Sequence, residues 1–286
     1  MLLLWLAGLI AGCESKEQPL RNNNEVNDLI PEGNFKTLKL ENRLEEISDI
    51  TYLGNGKIAG VQDEEGVIFI IDAGSGKTLS EIPFGGPGDY EGIAVHENTI
   101  FVAASNGSII RVDHYSDKKP VISTFETGLN EYNNVEGLCY DTKKNTLLII
   151  AKNKPGFGID GKKYKVIYPY NMTDKVIVKE HLVKIPLEEV KRLAGASDND
   201  KKFRFNPSGI ALHPANDHYY IIASAGQLLV EMDRNGEIVS VQKLKQKIFA
   251  QPEGITFDEK GGMYISNEGG GANATLLYFK SSQINY

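Results

Sequence analysis

A three-residue motif recurs five times along the chain, and it restricts the possible fold more than any other feature. Its copies are Ser48-Asp49-Ile50, Glu91-Gly92-Ile93, Glu136-Gly137-Leu138, Ser208-Gly209-Ile210 and Glu253-Gly254-Ile255. Successive copies begin 43, 45, 72 and 45 residues apart. Three of these intervals match a four-stranded propeller blade, which takes roughly 40 to 50 residues. The motif therefore predicts a repeat protein built from blades.

Short strand-like runs separated by turn residues follow each copy of the motif. In the first repeat these runs cover residues 50–53, 57–61 and 67–71, and in the fourth they cover residues 210–212, 219–223 and 228–232. Glycine and asparagine between the runs supply the positive φ angles that hairpin turns need. We therefore expect each repeat to be an antiparallel meander of four short strands.

The 72-residue interval exceeds one blade by about 27 residues but contains no further copy of the motif. Residues 164–170 and 176–185 read as its third and fourth strands, so the additional length falls in residues 153–163 and 186–206. Residues 186–193 predict one short helix, with proline in the first turn and apolar residues three and four apart. We expect an insertion in the third blade rather than a sixth blade.

The last repeat has three strand-like runs, at residues 255–257, 263–266 and 276–279, and few residues follow them. Residues 35–40 are also strand-like and have no partner in the first repeat. We expect this segment to be the outer strand of the last blade, because it would close the ring and remove an exposed strand edge. The predicted fold is an all-β, five-bladed propeller of four-stranded antiparallel blades.

The N-terminal residues 1–12 carry no charge and are mostly apolar. The segment is too short to cross a bilayer as a helix, but it has the size of the apolar region of a signal peptide. Ile10-Ala11-Gly12-Cys13 resembles the bacterial lipobox, in which the cysteine is acylated. We therefore expect a lipoprotein signal peptide over residues 1–12, a lipid on Cys13 and a location at the cell envelope, on the periplasmic side of the outer membrane or at the cell surface.

Residues 14–34 are mostly polar, with too little apolar surface to offset the entropy of ordering. We expect a flexible tether over residues 13–34 and the propeller domain over residues 35–286. The domain is expected to be a monomer.

Several function classes are disfavoured by composition. A net charge of −7 and a pI near 5.4 would repel nucleic acid. The second cysteine, Cys139, lies in an apolar stretch typical of core packing rather than of a nucleophile. The sequence contains no Gly-x-Ser-x-Gly motif, and its five histidines show no metal-ligand spacing. It predicts no catalytic residue.

The motif copies and their surroundings also resemble a known family. The characteristic stretches are Glu136-Gly137-Leu138-Cys139-Tyr140-Asp141, Pro207-Ser208-Gly209-Ile210-Ala211-Leu212-His213-Pro214 and Tyr264-Ile265-Ser266-Asn267-Glu268. They resemble the SdiA-regulated family, whose members are envelope proteins distantly similar to NHL-repeat propellers. The resemblance covers nearly all of residues 35–286 and implies a five-bladed propeller with a bound calcium ion and no established enzymatic activity.

Five carboxylates are candidates for that calcium site. Glu91, Glu136 and Glu253 directly precede the innermost strands, whereas Asp63 and Glu268 lie in loops between second and third strands, which open at the same channel mouth. Crowded carboxylates raise one another's pKa and favour a hard cation such as Ca²⁺, which accepts six to eight oxygen ligands. The residues alone leave a second interpretation open, in which glutamate before glycine only accepts backbone N–H bonds in a turn. The resemblance favours calcium.

We therefore expect a lipid-anchored binding module for an unknown protein or small-molecule ligand, with calcium at its central channel. The alternative is a calcium-dependent hydrolase similar to the lactonase-like or phytase-like propellers, because calcium in a propeller channel can polarise a lactone carbonyl or a phosphate.

Overall fold

The computed structural model describes residues 29–30, 33–197 and 199–285. The predicted signal peptide, the predicted lipid attachment site Cys13 and most of the predicted tether lie outside these residues. No helix in the described ranges is both long enough and apolar enough to cross a membrane.

Strands make up nearly all of the regular structure. In chain order they are β1 (Lys36–Lys39), β2 (Ile47–Gly54), β3 (Lys57–Gln62), β4 (Val67–Asp72), β5 (Thr78–Pro83), β6 (Tyr90–His96), β7 (Thr99–Ala104), β8 (Ser108–Asp113), β9 (Val121–Glu126), β10 (Val135–Asp141), β11 (Thr146–Ala151), β12 (Tyr164–Asn171), β13 (Val176–Ile177), β14 (Val183–Pro186), β15 (Gly209–Leu212), β16 (Tyr219–Ala223), β17 (Leu228–Met232), β18 (Ile238–Lys243), β19 (Pro252–Phe257), β20 (Met263–Asn267) and β21 (Thr275–Phe279). Within the described residues, the one α-helix is α1 (Leu187–Leu193).

These strands form five antiparallel sheets, one for each copy of the motif. The sheet orders are β2-β3-β4-β5, β6-β7-β8-β9, β10-β11-β12 with both β13 and β14 on the outer edge, β15-β16-β17-β18, and β19-β20-β21-β1. The inner strands β2, β6, β10, β15 and β19 contact one another around the axis. The predicted five-bladed propeller is confirmed.

The ring closes through the N-terminal strand, as predicted. Strand β1 pairs antiparallel with β21, from Lys36 opposite Tyr278 to Lys39 opposite Thr275. The Leu40 N–H extends this ladder by donating to the Ala274 carbonyl at 2.9 Å. Because the first strand, β1, and the last strand, β21, pair in one blade, the outer edge of β21 is covered.

The third blade differs from the prediction in its outer strand. The expected strand over residues 176–185 is divided into β13 and β14 by a 3₁₀ turn at Lys179–His181. The predicted insertion is present, as a loop between β11 and β12 and as α1 with the residues after it. Pro186 precedes the helix, and Val190 is its buried contact with the blade.

Two residues at the C-terminal end of the predicted tether pack against the propeller. Leu29 and Ile30 are buried against apolar side chains of the fourth and fifth blades. The Gln242 side chain accepts a bond from the Ile30 N–H at 2.8 Å and donates one to the Ile30 carbonyl at 2.9 Å. Leu29 and Ile30 therefore pack as part of the propeller core. The mostly polar composition of residues 14–34 does not indicate this, because only these two apolar residues are buried among those that the structure describes here.

The core is divided among the five interfaces between neighbouring blades. Each of five apolar clusters draws its buried side chains from two adjacent sheets. Cys139 on β10 packs at the edge of the cluster between the third and fourth blades, in agreement with the packing role expected from the sequence. Since each blade buries one face on each neighbour, the ring fixes the position of every inner strand.

Candidate functional site

The motif forms a β-bulge at the start of four inner strands. The pairing register shifts between Ile47 and Asp49, between Tyr90 and Gly92, between Val135 and Gly137, and between Pro252 and Ile255. The residues left out of the ladder include Glu91, Glu136 and Glu253. A bulge redirects the side chain of the extra residue. The recurring glutamate is therefore unpaired in the strand ladder and lies at the channel mouth.

The glycine of the motif is required by the close approach of neighbouring inner strands. A Cβ atom on Gly137 would lie 2.8 Å from the Gly209 Cα, and one on Gly209 would lie 2.5 Å from the Glu253 carbonyl oxygen. Both distances are far shorter than van der Waals contact. A side chain on Gly137 or Gly209 would force the neighbouring blades apart.

Asp49 occupies the same motif position in the first blade and reaches into the axis. Its carboxylate accepts the N–H groups of Ile50 at 2.8 Å and Ile93 at 2.9 Å, and also those of Leu138 and Ile255. These four donors belong to the inner strands of four blades. Complete burial raises the pKa of Asp49, while the four backbone donors act in the opposite direction. One carboxylate thus joins four strands at the centre of the ring.

A second set of side chains at this mouth immediately follows the second strand of each blade. Its members are Asp63, Ser105, Lys152, Ser224 and Glu268. Asp63 and Glu268 are predicted site residues, whereas Lys152 is not among the residues predicted from the sequence. Its position directly after the second strand of the third blade is the sequence signal that identifies this lysine.

Lys152 forms an ion pair with a predicted calcium ligand. Its ammonium lies 3.1 Å from Glu136 Oε1 and 3.2 Å from Oε2, and Asn134 Nδ2 also donates to this carboxylate. The carboxylates of Glu136, Glu253 and Glu91 all raise the pKa of Lys152. Lys152 therefore supplies a positive charge on this side of the mouth.

The carboxyl groups are crowded despite that lysine. Burial, the Glu136 charge and the Asp89 charge raise the pKa of Glu91, and burial raises that of Glu136 against the opposing effect of Lys152. Burial also raises the pKa of Glu253, although hydroxyls of Ser224 and Ser208 lower it. These groups hold protons more tightly than ordinary glutamates unless a cation replaces the protons.

On the opposite side of the mouth, between the fifth and first blades, Glu46, Asp63 and Glu268 form no ion pair with a lysine of the described chain, unlike Glu136. Burial and the charges of Glu253, Glu46 and Asp63 raise the pKa of Glu268 to about 8. Gln251 Nε2 donates to this carboxylate. Two buried oxygen atoms nearby in the fold, Asp63 Oδ1 and Asn267 Oδ1, have no hydrogen-bond partner.

All five predicted metal ligands therefore lie at one end of their blades, but in two groups. Within the described part of the chain, no three Asp, Glu, His or Cys side chains converge closely enough to surround a metal ion. Near Glu136, the Lys152 ammonium already forms an ion pair with the carboxylate. Near Glu268, the unpartnered oxygens of Asp63 and Asn267 have the donor chemistry that calcium takes, so this group fits the ion better.

A cavity of about 880 Å³ adjoins the Lys152 side of the mouth. Its walls come mainly from the β11–β12 loop of the third blade, together with Lys165 on β12 and Asn206. The cavity is thus a product of the insertion that lengthens the third repeat.

Solved structures of low sequence identity align with this chain, and the first of them shares its fold. The glutaminyl cyclase of Myxococcus xanthus aligns with a TM-score of 0.58 and 12% identity, covering 85% of this chain and 93% of that one. A streptogramin B lyase aligns with a TM-score of 0.47 and 13% identity, covering 86% of this chain and 98% of the lyase. At such identities the likeness concerns the fold alone.

The sequence itself gives one family match. No significant match is found among curated proteins. The model of the SdiA-regulated family, in contrast, matches residues 29–270, which include all five copies of the motif and the buried pair Leu29 and Ile30. The chain belongs to the SdiA-regulated family.

Proposed function

We propose that this protein is a lipid-anchored binding module of the cell envelope whose propeller binds calcium at the channel mouth. The observation that carries the calcium proposal is the pair of buried, unpartnered oxygens, Asp63 Oδ1 and Asn267 Oδ1. A buried acceptor without a donor costs free energy, and a cation is one way to satisfy it. The raised pKa of Glu268 points to the same deficit of positive charge.

Asp63, Asn267 and Glu268 would hold the ion. Calcium binds carboxylate and amide oxygens, and when bound here it would compensate their negative charge. Asp63 belongs to the first blade, whereas Asn267 and Glu268 belong to the fifth. The ion would therefore join the two blades between which the ring closes. Glu91, Glu136 and Glu253 would add to the negative potential that attracts it.

Calorimetry tests this site. We expect calcium to bind the purified chain, and the Glu268→Gln variant to bind it at least about tenfold more weakly, because a ligand charge is lost while shape is kept. Glu188→Gln, in α1 and away from the mouth, should bind as the unmodified protein does. Absence of calcium binding, or equal affinities of both variants, would contradict the proposal.

The membrane anchor is proposed on the lipobox-like Ile10-Ala11-Gly12-Cys13. Replacing Cys13 by alanine removes the thiol that accepts the lipid, so the variant should leave the membrane fraction or remain unprocessed. Cys139→Ala, which leaves the N-terminus intact, is the matched control. Unchanged membrane fractionation of a Cys13→Ala variant whose signal peptide is still cleaved would refute the anchor.

A calcium-dependent hydrolase is the second candidate function, and the raised pKa of Glu91 favours it. A carboxyl that keeps its proton near neutral pH can act as a general acid. Lactones, aryl esters and phytate, each tested with calcium, are suitable substrates for a screen. Turnover that Glu91→Gln abolishes would support a hydrolase, whereas the binding proposal expects no turnover above background.

A further inference from the structure

The cavity in the third blade lies beside the channel mouth and has its own chemistry. Its volume of about 880 Å³ is within the range of small-molecule sites, roughly 300–1,000 Å³. Four lysines line it, against two acidic residues, Glu131 and Asp160. The lysines are Lys152, Lys154, Lys162 and Lys165. In a chain of net charge −7, this is a local excess of positive charge.

Lys165 is the unusual member of this group. Only 8% of it is exposed, and its ammonium donates to the Lys152 carbonyl and, at 3.3 Å, to Asn206 Oδ1. Neither acceptor is charged. Within the described chain no carboxylate forms an ion pair with Lys165, whereas Lys152 is paired with Glu136. Burial lowers the pKa of Lys165, with the Glu136 charge opposing and the Lys152 charge assisting this shift.

A buried ammonium without a counter-ion is costly, and proteins normally pair such a charge. Lysine has three N–H donors, of which two are accounted for by the Lys152 carbonyl and Asn206. The remaining donor and the uncompensated charge belong to a residue that lines the cavity. The complementary occupant is an anion.

The cavity also offers apolar surface for the body of a ligand. Tyr132 is 68% exposed and Phe157 is 39% exposed, and both line the cavity. The Lys154 ammonium lies 5.9 Å from the Tyr132 ring centre and that of Lys179 lies 5.4 Å from the Phe157 ring centre. Aromatic walls combined with a few placed polar groups are typical of small-molecule sites.

We propose that this cavity binds a small organic anion, a carboxylate or phosphate carried on a ring-shaped or apolar body, with its charged group at Lys165. The calcium site proposed above uses Asp63, Asn267 and Glu268, so anion binding does not depend on it. The insertion in the third repeat would then exist to form this site.

Ligand-observed NMR with matched pairs tests the proposal on the full chain. The probes are glucuronate with glucose, glucose 1-phosphate with glucose, and benzoate with benzamide. We expect at least one anion to bind and its neutral counterpart not to bind, with the carboxylate and phosphate arms identifying the preferred group. No binding by any anion, or equal binding within every pair, would overturn the proposal.

Two lysine variants locate the binding. Lys165→Met keeps the length of the side chain but removes its charge, so affinity for the anion should fall at least about tenfold. Lys247→Met, an exposed lysine outside the cavity, should have no effect. If Lys165→Met does not fold, Lys154→Met at the exposed rim should still lower the affinity for the anion by a few-fold. If Lys165→Met folds and keeps full affinity for the anion, the proposed site is contradicted. If it does not fold, full affinity in Lys154→Met contradicts the site. Glu268→Gln and a calcium chelator should leave anion binding unchanged.

Discussion

Asp49 shows how one residue can adapt a repeated motif to a ring. Four copies of the motif have glycine at this position, because the inner strands approach too closely for a side chain. The first copy has aspartate instead, and its carboxylate accepts N–H groups from four of the inner strands. A single acceptor on the axis therefore satisfies donors that point into the channel, where no neighbouring strand can pair with them.

Replacing Asp49 by alanine should destabilise the protein strongly. The change leaves four buried N–H groups without an acceptor, and each such group costs on the order of 1–3 kcal/mol. We expect the free energy of unfolding in urea to fall by at least about 3 kcal/mol. Asp117→Ala, at an exposed turn, is the control and should change it little. Equal stability of the two variants would show that the axial hydrogen bonds contribute nothing.

At this scale the sequence predicts residues of the mouth but not their partners. Glu91, Glu136 and Glu253 could be selected because the motif repeats them at the start of inner strands. Lys152 is not predicted, because a lysine is not a metal ligand, although it follows the second strand of its blade as Asp63 and Glu268 do. Asp49 was not selected, because three of its four donors come from distant segments that only the closed ring brings together. The calcium role of the five carboxylates stays a prediction.

Among the elements, the inner strands depend on glycine for their spacing. A Cβ atom on Gly137 would meet Gly209 Cα at 2.8 Å and Ile210 N at 3.0 Å, both of them backbone atoms that cannot rotate away. We expect Gly137→Ala to lower the free energy of unfolding by about 1–3 kcal/mol, the usual range for overpacking. Gly86→Ala is a matched control, since no atom lies within 4 Å of its added methyl. A neutral Gly137→Ala would contradict the close packing of β10 and β15.

The segment before β1 contains two apolar residues that the sequence composition places in the tether. Leu29 and Ile30 are buried, and burying such a side chain contributes about 1.5–3 kcal/mol. A chain that begins at Leu29 should therefore be more stable than one that begins at Gly33, by several kcal/mol. Thermal unfolding of the two truncated proteins measures the difference. Identical melting temperatures would restore the predicted boundary at residue 34.

Strand positions were predictable for a physical reason. Residues 164–170 and 35–40 alternate or cluster apolar side chains between turn residues, and both became strands close to the expected bounds. The outer strand of the third blade was not predicted correctly, since its division by the turn at Lys179–His181 is set by local packing rather than by a pattern of apolar residues.

For the whole molecule, the acidic mouth makes stability depend on pH and calcium together. Glu268 has an ordinary pKa of about 4.3 when unfolded and about 8 when folded. Between these values the folded protein binds more protons than the unfolded one, so its stability falls as pH rises. Acids with a lowered pKa, such as Asp217, complete their titration below this range.

In a chelator we therefore expect the melting temperature to fall between about pH 5 and pH 8. Calcium should reduce this fall, because it binds the deprotonated carboxylates and stabilises only the folded ring. Differential scanning calorimetry at several pH values, with and without calcium, measures both effects. If the melting temperature in chelator rises between pH 5 and pH 8, the acidic side chains at the mouth do not destabilise the folded protein when they lose their protons.

A crystal of the protein grown with calcium would show whether the ion lies at the junction of the first and fifth blades. An anomalous difference map locates the ion without reference to the protein atoms. We predict a peak with Asp63, Asn267 and Glu268 oxygens at about 2.3–2.6 Å, the distance typical of calcium ligands. A map with no peak at this junction, or with its peak away from these three residues, would contradict the account.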